Sequence, residues 1–172
     1  MNLELVEFGR LTEAQRAELE GDEEDPFDAA GNVLQWRKKE RHVALRGRDG
    51  RLVASAGLVP AQIEIGGSEP VPVVGLGGVF VTQRHRGQGL ARRVVAEALD
   101  RAATMGPDLI MLFCHRNRAG LYERFDFVEI PPPVLVEQPE GPVEMKMVAM
   151  WRPLRDGAAR PPGQVTLRGL PF

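Results

Sequence analysis

The chain has 172 residues, with 22 Lys and Arg against 24 Asp and Glu and a formal net charge of -2, so there is no global basic field to hold nucleic acid. No uninterrupted apolar run approaches the roughly 18 residues that span a bilayer, and the single cysteine, Cys114, excludes an internal disulfide and thiolate-rich metal sites. His42, His85 and His115 have no metal-ligand spacing, so no metal is expected; an amino terminus without a basic region and apolar stretch points to a cytoplasmic location.

Thr12-Glu13-Ala14-Gln15 reads as a capping box, since a Thr hydroxyl and a Gln amide each satisfy an orphan donor at a helix start, and predicts a short helix to about Glu20. Acidic residues then crowd together: Glu18, Glu20, Asp22, Glu23, Glu24, Asp25 and Asp28. They read either as a solvated helix connection or as an acidic rim that attracts a cationic substrate. Asp25-Pro26 can open a second helix reaching about Lys39.

From Arg41 to Thr82 the pattern is strand-like. His42-Val43-Ala44-Leu45 and Leu52-Val53-Ala54 flank Asp49-Gly50, a hairpin signal, and Gly66-Gly67-Ser68 turns the chain back into Val73 to Val81. Gly75, Gly77 and Gly78 inside that last strand mark a bulge, or a place where a ligand or another backbone comes close.

The strand runs through Val79-Phe80-Val81 into a loop holding Gly87 and Gly89. A helix follows, with Leu90, Val94, Val95, Ala98, Leu99 and Ala102 at helical spacing and Met105-Gly106-Pro107 as its stop. A helix start has up to four unpartnered N–H groups and about half a positive charge, so strand, glycine loop and helix together form a phosphate cradle. Leu109 to Cys114 is a continuous apolar run, expected as a strand buried on both faces and parallel to the one before the helix. A short helix from Asn117 to Arg124, a short strand Phe127 to Ile130, a break at Pro131-Pro132-Pro133 and a last strand Val143 to Trp151 complete the domain, taken as residues 1–154. Residues 155–172 form a tail rich in Pro, Gly and Arg that can dock on it, with Val165-Thr166-Leu167 as an edge strand. Strand edges and the apolar Leu170-Pro171-Phe172 leave a homodimer open.

Three phosphate-binding architectures compete for the loop. A P-loop requires Lys then Ser or Thr after its last glycine, whereas Leu90 and Ala91 follow Gly89. A dinucleotide fold requires a small residue where Arg92 stands and an acid closing the next strand, but Asp108 precedes that strand. Arg84-His85-Arg86-Gly87-Gln88-Gly89 instead resembles the coenzyme A pyrophosphate loop of the Gcn5-related N-acetyltransferases, the GNAT superfamily. A second element, Asn117-Arg118-Ala119-Gly120-Leu121-Tyr122-Glu123-Arg124-Phe125-Asp126-Phe127, resembles the segment after that family's fifth strand, with Asp126 where glycine is usual. The resemblance covers about Arg41 to Trp151.

The resemblance implies an α/β fold of the α+β type: a mixed, largely antiparallel sheet flanked by helices, with a central parallel pair that splays apart. It implies acetyl-coenzyme A as cosubstrate and transfer of the acetyl group to the primary amine of a small molecule in a ternary complex. Backbone N–H groups of Arg86, Gly87, Gln88, Gly89, Leu90 and Ala91 would bind the pyrophosphate, with Arg84 and Arg86 adding charge. Val79, Phe80 and Val81 would pair with the pantetheine arm, and Asn117 would position the cofactor or cap its helix. Among catalytic groups, the N–H groups near Gly78 and Val79 would stabilise the oxyanion and Tyr122 would protonate the departing thiolate.

No general base is evident. Where many members carry an acid, Gly75, Leu76, Gly77 and Gly78 stand; Glu64, Glu129, Glu144, His115 or an ordered water are the alternatives. A coenzyme A binding or sensing module without catalysis is therefore the alternative function. The Arg86-Gly87-Gln88 loop, the acidic amino-terminal segment and the ending after Pro131 also resemble aminoglycoside 2'-N-acetyltransferases, but Gly77 replaces the acidic substrate-binding residue of that subgroup.

Overall fold

The computed structural model describes residues 3–21 and 23–172. Within them the strands are β1 (Glu4–Phe8), β2 (Arg41–Arg46), β3 (Leu52–Ile65), β4 (Val71–Val81), β5 (Leu109–Cys114), β6 (Val128–Glu129), β7 (Leu135–Gln138), β8 (Gly141–Glu144), β9 (Val148–Pro153) and β10 (Val165–Arg168). The helices are α1 (Glu13–Glu20), α2 (Leu90–Ala102) and α3 (Ala119–Glu123). One mixed sheet runs β6-β9-β5-β4-β3-β10-β7-β8. The 14-residue β3 is its spine: the first half pairs with β2, which holds β1, and the second half pairs with β10. β4 and β5 form the parallel central pair expected from the sequence.

The capping box at α1 is present in both directions, Gln15 N–H donating to Thr12 Oγ1 at 3.1 Å and Thr12 N–H to Gln15 Oε1 at 2.9 Å. The hairpins at Asp49-Gly50 and Gly66-Gly67 also form. Leu90, Val94, Val95, Ala98 and Ala102 are the buried face of α2. Leu90, Val94 and Val95 each contribute about 1.5–3 kcal/mol when fully buried, and the two alanines let the helix approach the sheet. β5 is buried at all six positions. Its Ile110, Leu112 and Cys114 pack under α2 and α3, while Leu109, Met111 and Phe113 join Ile63, Trp151, Val165 and Leu167 on the other face, around which the sheet curls.

Four expectations change. No second helix forms between Pro26 and Lys39. The Asp25 carboxylate instead accepts the N–H groups of Ala29 and Ala30 at 2.7 and 2.9 Å, Asp28 adopts φ 52°, and the Asn32 side chain accepts Leu34 N–H, so local side-chain bonds outcompete the helix. Asp22 of the acidic run lies outside the described residues. The expected strand from Val143 to Trp151 is two strands, because Met145 turns inward and gives its N–H to Val134 O at 2.8 Å, leaving β8 with β7 and β9 with β5. The expected edge strand at Val165 is interior, antiparallel to β3 and parallel to β7. Lastly, Phe172 is only 2% exposed and packs within its own chain, so it presents no apolar surface to a second copy.

Candidate functional site

β4 and β5 pair only from Val74–Ile110 to Leu76–Leu112. Beyond that each stays with its outer neighbour, Phe80 opposite Ser55 on one side and Cys114 opposite Val148 on the other, so the edge of Gly77 to Val81 that faces β5 is open. Gly57 opposes Gly77 while Ser55 opposes Phe80, so three steps along β4 match two along β3. This is a bulge at Gly78 and Val79, with Gly78 at φ +58°, a left-handed value that glycine adopts without strain. A strand with a bulge beside an opening aims main-chain groups into that opening.

At the far end of the open edge, a 3-10 turn over Gln83–His85 leads to Gly87 and Gly89, both at φ +76°. Among the described residues, no protein acceptor takes the N–H groups from Gly87 through Arg92. No heavy atom lies within 4 Å of where a Cβ would stand at either glycine. The N-terminal end of α2 and the loop before it therefore hold a row of unpaired donors and the positive end of a helix dipole at the rim of the cleft. Arg86 is committed elsewhere: its Nε donates to Val81 O at 3.1 Å, its Nη2 donates to both Glu23 carboxylate oxygens at 2.6 and 2.8 Å, and its guanidinium carbon lies 5.5 Å from the Phe80 ring centroid. Phe27 packs on Phe80 at 5.4 Å, so the segment after α1 is tied across the cleft by a charge pair and an aromatic pair.

The cleft has a volume of about 770 Å³ and gathers Gly78, Val79, Phe80, Val81, Arg86, Gly87, Gly89, Leu90, Ala91 and Tyr122. Arg84, Gln88 and Asn117 do not line it; Gln88 donates to Arg84 O at 3.4 Å, and Asn117 lies in the 3-10 turn before α3. Tyr122 comes from α3, with its ring edge-on to Phe127 at 6.0 Å. Asp126 supports that placement, taking the left-handed φ 62° that turns the chain back under the ring. Burial, helped by the nearby Cys114 thiol, holds the Tyr122 phenol well above its ordinary range, so it keeps its proton. Burial likewise pushes the Cys114 thiol up to about 11, leaving it a packing group. A second hollow, of about 520 Å³ between Val71, Gly106 and Pro161, lies away from these groups.

Two residues that sequence reasoning missed stand at the bulge. The Lys39 side chain crosses β3 and β4: its Cγ occupies the place where a Cβ would stand at Gly57, and its Cε lies 2.9 Å from that point at Gly77 and 3.4 Å at Gly78. The Phe172 ring lies 2.5 Å from a Cβ at Gly75, and its carbonyl group lies 2.7–2.9 Å from one at Gly77. The glycines at 75 and 77 thus make room for this chain's own residues. The available signal was one of number, since more glycines sit on two adjacent strands than a single bulge needs. Burial, followed by the charge of Arg16, lowers Lys39 to about 8. His42 is pushed down by burial too, although its Nδ1 bonds Gly9 O at 2.7 Å.

Of the candidate bases, Glu64 pairs with Arg168 at 3.5 Å, Glu129 takes Arg116 in a fork at 2.7 and 2.8 Å, and Glu144 pairs with Lys146 at 2.9 Å. None of the three lines the cleft; His115 does.

The sequence profile of the acetyltransferase (GNAT) domain matches residues 20–130, a stretch holding the open edge of β4, the glycine loop and Tyr122. The chain belongs to the GNAT acetyltransferases. Its fold is shared with the GNAT family N-acetyltransferase YhbS from Escherichia coli in complex with CoA, at TM-score 0.60 and 18% identity over 99% of this chain and 97% of that one. It is also shared with a GNAT family acetyltransferase from Brucella melitensis in complex with acetyl-CoA, at TM-score 0.55 and 18% identity over 95% and 94% of the chains. The protein of a KacTA–DNA complex matches at TM-score 0.57 and 19% identity over 89% and 94%. None of the curated proteins matches the chain. In this GNAT chain the strands β7 to β10, which carry Phe172 to the bulge, lie beyond the matched residues. Among the described residues no helix is long and apolar enough to cross a membrane.

Proposed function

We propose that the chain transfers an acetyl group from acetyl-coenzyme A to the primary amine of a small molecule, directly, with both bound together. The observation that supports this best is the conjunction of an open, bulged β4 edge with an unpaired row of N–H groups at one end and the protonated Tyr122 hydroxyl facing the same cleft. The donors fit a pyrophosphate, which needs several N–H groups and no intruding side chain.

Acetyl-coenzyme A, when bound, supplies the activated acetyl thioester. The N–H groups from Gly87 to Ala91 hold its pyrophosphate, with Arg84 and Asn117 as peripheral contributors, and the open edge of Val79, Phe80 and Val81 pairs with its amide arm as an added strand. The bulge turns backbone N–H at Gly78 and Val79 toward the carbonyl oxygen, where negative charge develops; such a donor is worth about 3 kcal/mol. Tyr122 gives its proton to the sulfur as it leaves, a role that a phenol held protonated by burial fits. Arg86 acts chiefly by holding the segment after α1 over the cleft. His115, on the cleft wall, or water accepts the proton of the amine.

Release of free thiol from acetyl-coenzyme A in the presence of an amine panel tests the reaction. Tight coenzyme A binding with no acceptor-dependent thiol release across a broad panel would instead favour a binding or sensing module, a reading supported by the lack of an acid at the bulge.

A further inference from the structure

Lys39 and Arg16 both line the cleft, and neither forms an ion pair with any described residue. Each is placed by a different part of the fold. The capped α1 carries Arg16, and the lane cleared by Gly57 and Gly77 carries the Lys39 stem to the bulge, where its Nζ lies 3.9 Å from a Cβ position at Gly78. Burial, and then the like charge of Arg16, lowers Lys39, and burial chiefly lowers His42, with Lys39 and Arg16 adding to it.

Two acids of the same wall are engaged. Glu23 accepts two bonds from Arg86 Nη2, and Asp25 accepts the N–H groups of Ala29 and Ala30. Asp28 also lines the cleft but forms no ion pair with Lys39 or Arg16. Neither cation therefore has a carboxylate partner among the described residues. A half-buried ammonium that shares a cleft with a second cation and has no partner is unfavourable until an anion arrives, and two unpaired cations lining one cleft can hold an oxyanion.

We propose that Arg16 and Lys39 are the recognition site for an anionic group, a carboxylate or phosphate, on the acceptor, so that the substrate is a primary amine carrying an oxyanion a few bonds from its nitrogen. Seated between the two side chains, that group places the amine over the Gly78 bulge. The inference rests on the acetyl-transfer reading of the cleft.

The test uses the full chain saturated with coenzyme A, which blocks the glycine loop, and measures thermal shift and calorimetric binding of malonate, inorganic phosphate and 1,4-diaminobutane. One or both anions are expected to bind saturably, and whichever binds more tightly identifies the substrate's acidic group. Lys39→Met and Arg16→Gln are each expected to weaken that binding at least tenfold, with Lys39→Arg largely restoring it. Alanine should displace the anion at least tenfold more effectively than alaninamide if the group is a carboxylate, and 2-aminoethyl phosphate should do so relative to ethanolamine if it is a phosphate. Binding unchanged in both variants, no saturable anion binding, or tighter binding of the diamine would overturn the proposal. Failure to bind coenzyme A in the first place would overturn the reading of the loop instead, and the two failures are separately visible.

Discussion

The ring of Phe172 fills the space that a side chain at position 75 would need, approaching within 2.5 Å of the missing Cβ from 97 residues further along the chain. Phe172 is almost fully buried and packs in the same cluster as Phe113, Met111 and Trp151. Phe172→Ala is expected to destabilise the fold by about 3 kcal/mol, since it removes a large aromatic from a wall that cannot collapse onto a glycine. Chemical denaturation checks this; a loss below about 1 kcal/mol would show that the ring merely rests on the surface.

Tyr122→Phe keeps the edge contact to Phe127 and removes only the hydroxyl. Turnover should fall about 100-fold or more while acetyl-coenzyme A affinity changes less than about threefold, as for loss of an acid that acts after binding. Unaltered kcat in steady-state kinetics would remove the residue from the chemistry.

Gly87 adopts φ +76°, open to solvent and beside the unpaired donors. Gly87→Leu should strain the loop by about 1–2 kcal/mol and put a side chain where the pyrophosphate lies. The coenzyme A-dependent rise in melting temperature should disappear, although the free protein still folds. A rise equal to that of the unaltered chain would mean that the phosphate sits elsewhere.

Lys39 offers a pH signature. Burial lowers it to about 8 from an unfolded value of 10.5, so between these values the unfolded chain binds more protons and the native state gains stability as pH rises. Below about pH 8 the buried charge is a full liability. Lys39→Met should therefore raise the melting temperature at pH 7, with the gain shrinking as pH climbs toward 10. A gain independent of pH would indicate that the ammonium stays solvated.

The strand, loop and helix frame around the candidate site was readable because backbone chemistry leaves a strong imprint on sequence. A β-branched strand, two glycines at fixed spacing and an amphipathic helix such as Leu90 to Ala102 allow few structures, and a run like Leu109 to Cys114 has few places other than the middle of a sheet. Asp126 was legible for a similar reason, because few residues other than glycine, Asn and Asp turn left-handed easily. The segment from Pro26 to Lys39 was not: its shape follows from Asp25 bonding to Ala29 and Ala30, from Arg37 N–H meeting Pro171 O at 2.6 Å, and from Gln35 N–H meeting the Gln138 side chain at 2.8 Å. Partners more than 100 residues away leave no periodic trace. Lys39 and Phe172 were illegible together, because each explains glycines on strands that neither belongs to.

The place of β10 between β3 and β7 has a consequence for how the chain is made. Until Val165 to Arg168 have left the ribosome, Gln62 to Ile65 keep a bare edge and the β7–β8 hairpin has no strand to join. Phe172 reaches Gly75 later still. The bulge end of the cleft thus closes only after β10 and Phe172 are made, long after the glycine loop and its helix have been synthesised.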